Sequence, residues 1–199
     1  MACYSTTFLD EAISVLDTID VEAIENMALG LAEVRDAGGR LFILGVGGSA
    51  GHAGHAVNDF RKICAFEAYA PTDNVSELTA RINDEGWDGC FAAWLKTSRL
   101  GPRDAVLVFS VGGGDEQKKV SVNLVRALDT ALAVGARIYG IVGRDGGYTY
   151  QVANACAVVP VVNGDRITPH TEGTCAVLWH LLVSHPALQR TATRWESVK

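Results

Sequence analysis

The stretch Leu41-Phe42-Ile43-Leu44-Gly45-Val46-Gly47-Gly48-Ser49-Ala50-Gly51 decides the fold. Its uninterrupted apolar run, without polar alternation, describes a strand covered on both faces, as strands of a parallel sheet are. Glycines follow at once, and a helix carrying His52, His55 and Asp59 comes after them. Working outward, Ala105–Phe109, Arg137–Val142 and Ala155–Pro160 read as strands of the same kind. Between them, Glu116 to Val134 reads as a helix, with Val120, Leu124, Leu128 and Leu132 four apart. Ahead of the first strand, Phe8, Ile13, Leu16, Ile19 and then Ile24, Met27, Leu31, Val34 keep a helical period on two segments. Gly38-Gly39 stops the second. Strands alternating with helices imply an α/β fold: a doubly wound, mostly parallel sheet with helices on both faces, flavodoxin-like, behind two N-terminal helices.

The chain has 199 residues and no repeat or low-complexity linker. Residues 1–199 therefore read as one domain, with the helices of 1–38 expected to pack between subunits. A net charge of -6 argues against duplex nucleic acid or an anionic membrane as partner. No stretch approaches the ~20 apolar residues of a membrane helix, and the N-terminus lacks an export signal. The five cysteines are scattered without a C-x-x-C, and read as reduced thiols of a cytoplasmic protein.

Three loops at expected strand ends are rich in glycine: Gly45–Gly51, Ser110–Asp115 and Gly143–Gly147. Ligands of such sheets bind beyond the carboxyl ends of the strands. There, glycine lets backbone N–H groups approach an anion, and the following helix adds its positive end. Gly45, Gly47 and Ala50 also fit the dinucleotide pattern G-x-G-x-x-A, with Glu67 placed 20 positions after Gly47. The Ser49 hydroxyl and the two preceding helices speak for a phosphate instead, and no nucleotide cofactor is expected.

His55 and Asp59 stand i,i+4 on the helix after the first loop, with His52 one turn earlier. Glu172 and His180, eight apart, share a face of the last helix. Such groups can form a metal cage, an acid/base pair, or both.

In chain order, Gly45-Val46-Gly47-Gly48-Ser49 resembles the G-N-G-G-S loop of sugar isomerase (SIS) domains, in the phosphoheptose isomerase branch. Asn83-Asp84-Glu85-Gly86-Trp87 resembles its N-D-x-G-[FY] segment, Gly143-Arg144-Asp145-Gly146-Gly147 its T-G-[KR]-D-G-G loop, and Asp165-Arg166-Ile167 its D-R-I segment. The resemblance implies a homotetrameric aldose–ketose isomerase converting sedoheptulose 7-phosphate to a heptose 7-phosphate. It implies Asp59 and His180 as the catalytic pair and zinc, or a similar divalent ion, on His55, Asp59, Glu172 and His180. It further implies sugar-phosphate contacts from Gly47, Gly48, Ser49, Asn83, Asp84, Ser110, Gly112, Gly113, Asp115 and Glu172. Three departures stand out. Asp59 replaces a glutamate, Glu172 replaces a glutamine, and Ser110-Val111-Gly112-Gly113-Gly114-Asp115 replaces the serine-rich S-T-S-G-N-S loop. Asp115 reads as the N-cap of the helix that follows. A non-catalytic SIS protein, a sugar-phosphate sensor or a scaffold, is the alternative. Trp87, Trp94 and Trp179 read as core or interface residues, and His185 as a surface residue. Arg61-Lys62 read as a solvated face within reach of an anion, and Arg190–Lys199 as a frayed tail.

Overall fold

Side chains of the first strand alternate between two separate apolar cores. Leu41 and Ile43 pack into one, Phe42 and Leu44 into the other, and all four are shielded from solvent. The next strand divides likewise, Leu107 and Phe109 against Val106 and Val108. That double burial is why these segments carry no polar alternation.

The computed structural model describes residues 3–192. Strands β1 (Leu41–Gly45), β2 (Ala68–Tyr69), β3 (Ala105–Ser110), β4 (Arg137–Val142) and β5 (Ala155–Val158) form a parallel sheet in the order β2-β1-β3-β4-β5. On one face lie α1 (Tyr4–Thr18), α2 (Val21–Asp36), α3 (Gly48–Cys64) and α8 (Ile167–Ser184). On the other lie α4 (Val75–Glu85), α5 (Cys90–Thr97), α6 (Val122–Val134) and α7 (Gly147–Val152). The chain leaves β1 toward one sheet edge and β3 toward the other. This reversal opens a crevice at the carboxyl ends of those two neighbours, where ligands of such sheets bind. Among the described residues no helix is long and apolar enough to cross a membrane.

The expected strands form, with β5 ending at Val158. The expected helix from Glu116 does not. Asp115 and Val120 exchange both backbone hydrogen bonds (2.8 and 2.9 Å), closing a small antiparallel turn. Lys119 and Ser121 take positive φ (55° and 49°), which interrupts any helix there. Helix α6 starts only at Val122, so Asp115 is not its N-cap, and Val120 is exposed. Leu124 and Leu128 pack inward as the period requires, whereas Leu132 is exposed.

Both N-terminal helices form. Ile24, Met27, Leu31 and Val34 of α2 are buried. On α1 only Val15 is fully buried, and Leu9, Ile13 and Leu16 face outward. A polar clamp nevertheless fixes α1. Glu11 accepts from Arg166 through both oxygens (2.6 and 2.7 Å), from Asn163 at 2.8 Å, and pairs with His170 at 2.9 Å. Arg166 above all, with His170, holds the Glu11 carboxyl far below its usual range.

His185 is not a free surface side chain: its Nε2 meets Glu25 at 3.2 Å and its Nδ1 accepts from Ala187 N. Arg61 turns from the crevice toward the Ala68 carbonyl and the Tyr69 ring. Arg190 and Thr191 are tied to the Ile63 carbonyl, while residues 193–199 of the expected frayed tail lie outside the described residues. The cysteines are free, with four buried. Burial pushes the Cys64 and Cys156 thiols up to about 12.

Candidate active site

Helix α3 begins in the crevice. Gly47 (φ 64°) precedes it without a side-chain cap, and the first intrahelical bonds come from Ala50 and Gly51 to the Gly47 carbonyl. The Gly48 and Ser49 amides thus stand at the helix's positive end, where an anion is favoured. Glu172 of α8 approaches the same end: a Cβ added to Gly48 would lie 2.6 Å from its Oε1, so a larger residue there would push the Glu172 carboxylate aside.

Two and three turns along, α3 and α8 pack together and their side chains meet. Asp59, 3% exposed, is the focus. Its Oδ1 accepts from Asn58 Nδ2 at 3.0 Å and its Oδ2 from Trp179 Nε1 at 3.3 Å. The same Oδ2 faces His55 Nε2 at 3.5 Å and His180 Nε2 at 3.6 Å. His180 Nδ1 donates to the Ala176 carbonyl at 2.7 Å, since a carbonyl can only accept. This fixes the tautomer and turns the Nε2 lone pair toward Asp59. His52 packs its ring against Trp179, and its buried Nδ1 has no hydrogen-bond partner. Desolvation pushes its pKa down.

Ligand atoms of His55, Asp59 and His180 all lie within 4.8 Å of one another. Tetrahedral zinc with nitrogen and oxygen ligands separates neighbouring donors by about 3.4 Å, close to the two His–Asp distances here. The donor set therefore fits a borderline divalent ion. Glu172, the fourth expected ligand, stands apart from the three, against Gly48.

Comparison with known proteins shows the family of the chain. No family model matches the chain. It is 32% identical over 147 residues to a probable phosphoheptose isomerase from Thermoplasma volcanium, an alignment covering 71% of each chain. It is 29% identical over 185 residues, 88% of each chain, to a phosphoheptose isomerase from Syntrophotalea carbinolica. The chain belongs to the phosphoheptose isomerase family. Its fold matches the phosphoheptose isomerase GmhA structure from Neisseria gonorrhoeae with a TM-score of 0.77 at 24% identity, covering 90% of this chain and 95% of that one.

The remaining expected residues are placed unevenly for a phosphoheptose isomerase. Ser49 and Ser110 are buried at the carboxyl ends of β1 and β3. Ser110 Oγ accepts from Gly113 N at 3.0 Å. The glycine loop after β3 packs on α7: Gly113 O accepts from Thr149 N and Oγ1, and Gly114 O from Tyr148 N. A Cβ at Gly113 (φ 69°) would lie 1.8 Å from the Gly146 carbonyl oxygen. The glycines there serve close backbone packing. Asp115 accepts from Lys118 N and pairs with Lys118 Nζ (2.9 and 3.0 Å), and both contacts hold its carboxyl below the usual range. A cleft of about 800 Å³ beside this loop is lined by Gly112, Asp115, Lys118, Arg144, Tyr148 and Gln151, and excludes the His–Asp cluster. Asn83 and Asp84 are exposed on α4, across the sheet from that cluster, and bond to each other.

Sequence reading missed Asn58 and the Asp59 contact of Trp179, which it placed in the core. Trp179 is buried as expected, as is Trp94, while Trp87 is partly exposed. The available signal was the adjacency to His180, because a buried indole N–H needs an acceptor.

Proposed function

We infer that the chain is an aldose–ketose isomerase converting sedoheptulose 7-phosphate to D-glycero-D-manno-heptose 7-phosphate. The observation that carries this reading is the buried Asp59 Oδ2 facing two imidazole Nε2 atoms where α3 packs against α8. Moving a carbonyl between C1 and C2 requires a base to take the proton from the carbon beside it. An acid must meanwhile protonate the carbonyl oxygen. Asp59 takes and returns the carbon-bound proton. His180, with Nδ1 occupied by Ala176, exchanges protons with the substrate oxygens through Nε2.

In a metal-loaded form His55, Asp59 and His180 would hold a zinc-like ion, which when bound stabilises negative charge developing on the substrate oxygens. The His180 Nε2 lone pair is then committed to the ion, so its proton exchange belongs to the metal-free form. Ser49, Ser110 and the α3 amides hold the phosphate, with Gly47 and Gly48 admitting it to the backbone. Glu172, whose carboxylate stands at the same helix end, swings away from the phosphate it would repel and accepts from sugar hydroxyls. The outward Leu9, Ile13 and Leu16 of α1 support a homo-oligomer, with a tetramer favoured. Asn83 and Asp84 contribute to a site only through such assembly. Free cysteines support a cytoplasmic setting. A sensor or scaffold has no use for two proton-exchanging imidazoles around one carboxylate.

The test is an isomerase assay on sedoheptulose 7-phosphate, with elemental analysis of protein purified without chelator and with EDTA added. Turnover that falls on chelation, with one ion per chain, supports the full reading. Full turnover without metal leaves the acid/base roles and removes the ion. No turnover under any condition overturns the enzyme.

A further inference from the structure

We propose that Trp179 is a positioning residue of the isomerase, its indole N–H aiming the Asp59 carboxylate and its ring seating the surrounding imidazoles. This rests on Asp59 as the proton-moving group. Trp179 is 2% exposed, and its Nε1 donates at 3.3 Å to Oδ2, the oxygen that both imidazole Nε2 atoms face. Its ring centroid lies 4.8 Å from that of His52, 5.4 Å from His55 and 4.9 Å from His180, while Phe109 of β3 stacks against it at 5.8 Å. One side chain thus touches every imidazole around the carboxylate and anchors the group to the sheet.

Asp59 explains why such an anchor is needed. It is one methylene shorter than the glutamate the family resemblance puts there, so its oxygens cannot be brought forward by rotating a longer arm. With Asn58 on Oδ1 and Trp179 on Oδ2, both oxygens are fixed. Proton transfer requires placement to within about half an ångström, which such supporting hydrogen bonds provide. Trp179 touches no reacting atom itself.

Trp179→Phe keeps a ring and removes the N–H. On sedoheptulose 7-phosphate its kcat should fall roughly 10- to 100-fold with KM within about twofold, the pattern of a contact that matters in the transition state. In an Asp59→Glu background the same substitution should cost less than about threefold, because a carboxylate moved by one methylene no longer meets the indole. A packing role alone costs the same in both backgrounds, and that result overturns the proposal, as does a wild-type kcat for Trp179→Phe. If Trp179→Phe does not fold, the indole ¹H–¹⁵N resonance of Trp179 decides: it shifts in Asp59→Ala if the bond exists, and an unmoved resonance overturns the proposal. Asp59→Asn separates the two levels. Full activity there removes the role of Asp59 itself. An inactive Asp59→Asn beside a fully active Trp179→Phe removes only that of Trp179.

Discussion

The α3–α8 cluster and the glycine loop after β3 are built on opposite plans. On the α3–α8 side, Asn58, Trp179 and two imidazoles converge on one buried carboxylate, and the contacts are all drawn from helices. On the β3–α6 side, Gly113 and the Gly114 carbonyl are turned to the protein: Gly113 N donates to Ser110 Oγ, and the Gly113 and Gly114 carbonyls accept from α7. On the proposed function, the first serves chemistry and the second its own packing. Proton transfer tolerates no displacement, whereas a phosphate can be held by several interchangeable donors. The loop is also where the sequence departs most sharply from the S-T-S-G-N-S pattern it resembles.

That contrast breaks first at Asp59 and His180. Asp59→Asn and His180→Gln should each lower kcat by roughly 10²–10⁴, the range expected for lost acid–base assistance. Wild-type rates in both variants would falsify the division, since the α3–α8 side would then be scaffolding too. Next comes Gly113→Ala. Its left-handed φ and a Cβ 1.8 Å from a backbone oxygen leave no relaxed alternative. Thermal unfolding should report a loss of about 2–4 kcal/mol. Unchanged stability would mean the loop is free to open for a ligand. Ser49→Ala is smaller. It removes a hydroxyl but leaves the α3 amides, so KM for the phosphosugar should rise about tenfold with kcat nearly unchanged, which steady-state kinetics can read.

The same contrast governs what could be read from the sequence. Strands β1, β3 and β4 were legible because burial on both faces removes polar residues from the pattern, as in Leu41–Leu44. His55 and Asp59 were legible because i,i+4 spacing puts them on one face wherever the helix lies. The start of α6 was not, because the period of Val120, Leu124, Leu128 continues through residues whose backbone breaks it. Only the positive φ of Lys119 and Ser121 and the Asp115–Val120 bridge reveal the turn. The separation of Glu172 from the His–Asp cluster was hidden for a related reason: two turns of α8 carry it along the helix axis to Gly48. Periodicity gives the face of a helix, and packing decides what stands opposite.

The smallest effect is expected at Asp115, where the charge on the loop side can be tested directly. As an N-cap of α6 its carboxylate would have stood at the helix end an anion prefers, and would have repelled a phosphate strongly. The structure places it instead in a turn that it closes on Lys118 N, with Lys118 Nζ 3.0 Å away to offset its charge. An exposed pair of this kind contributes little to stability, so Asp115→Ser should leave the melting temperature nearly unchanged. It should also free the ammonium of Lys118 and remove one negative charge beside the loop. Sedoheptulose 7-phosphate should then bind about two- to fivefold more tightly by titration calorimetry, with most of the gain lost at high ionic strength because it arises from screened charges. Weaker binding in Asp115→Ser would reverse the assignment: the carboxylate would be accepting from a sugar hydroxyl, and the loop would be a recognition element rather than a closed support.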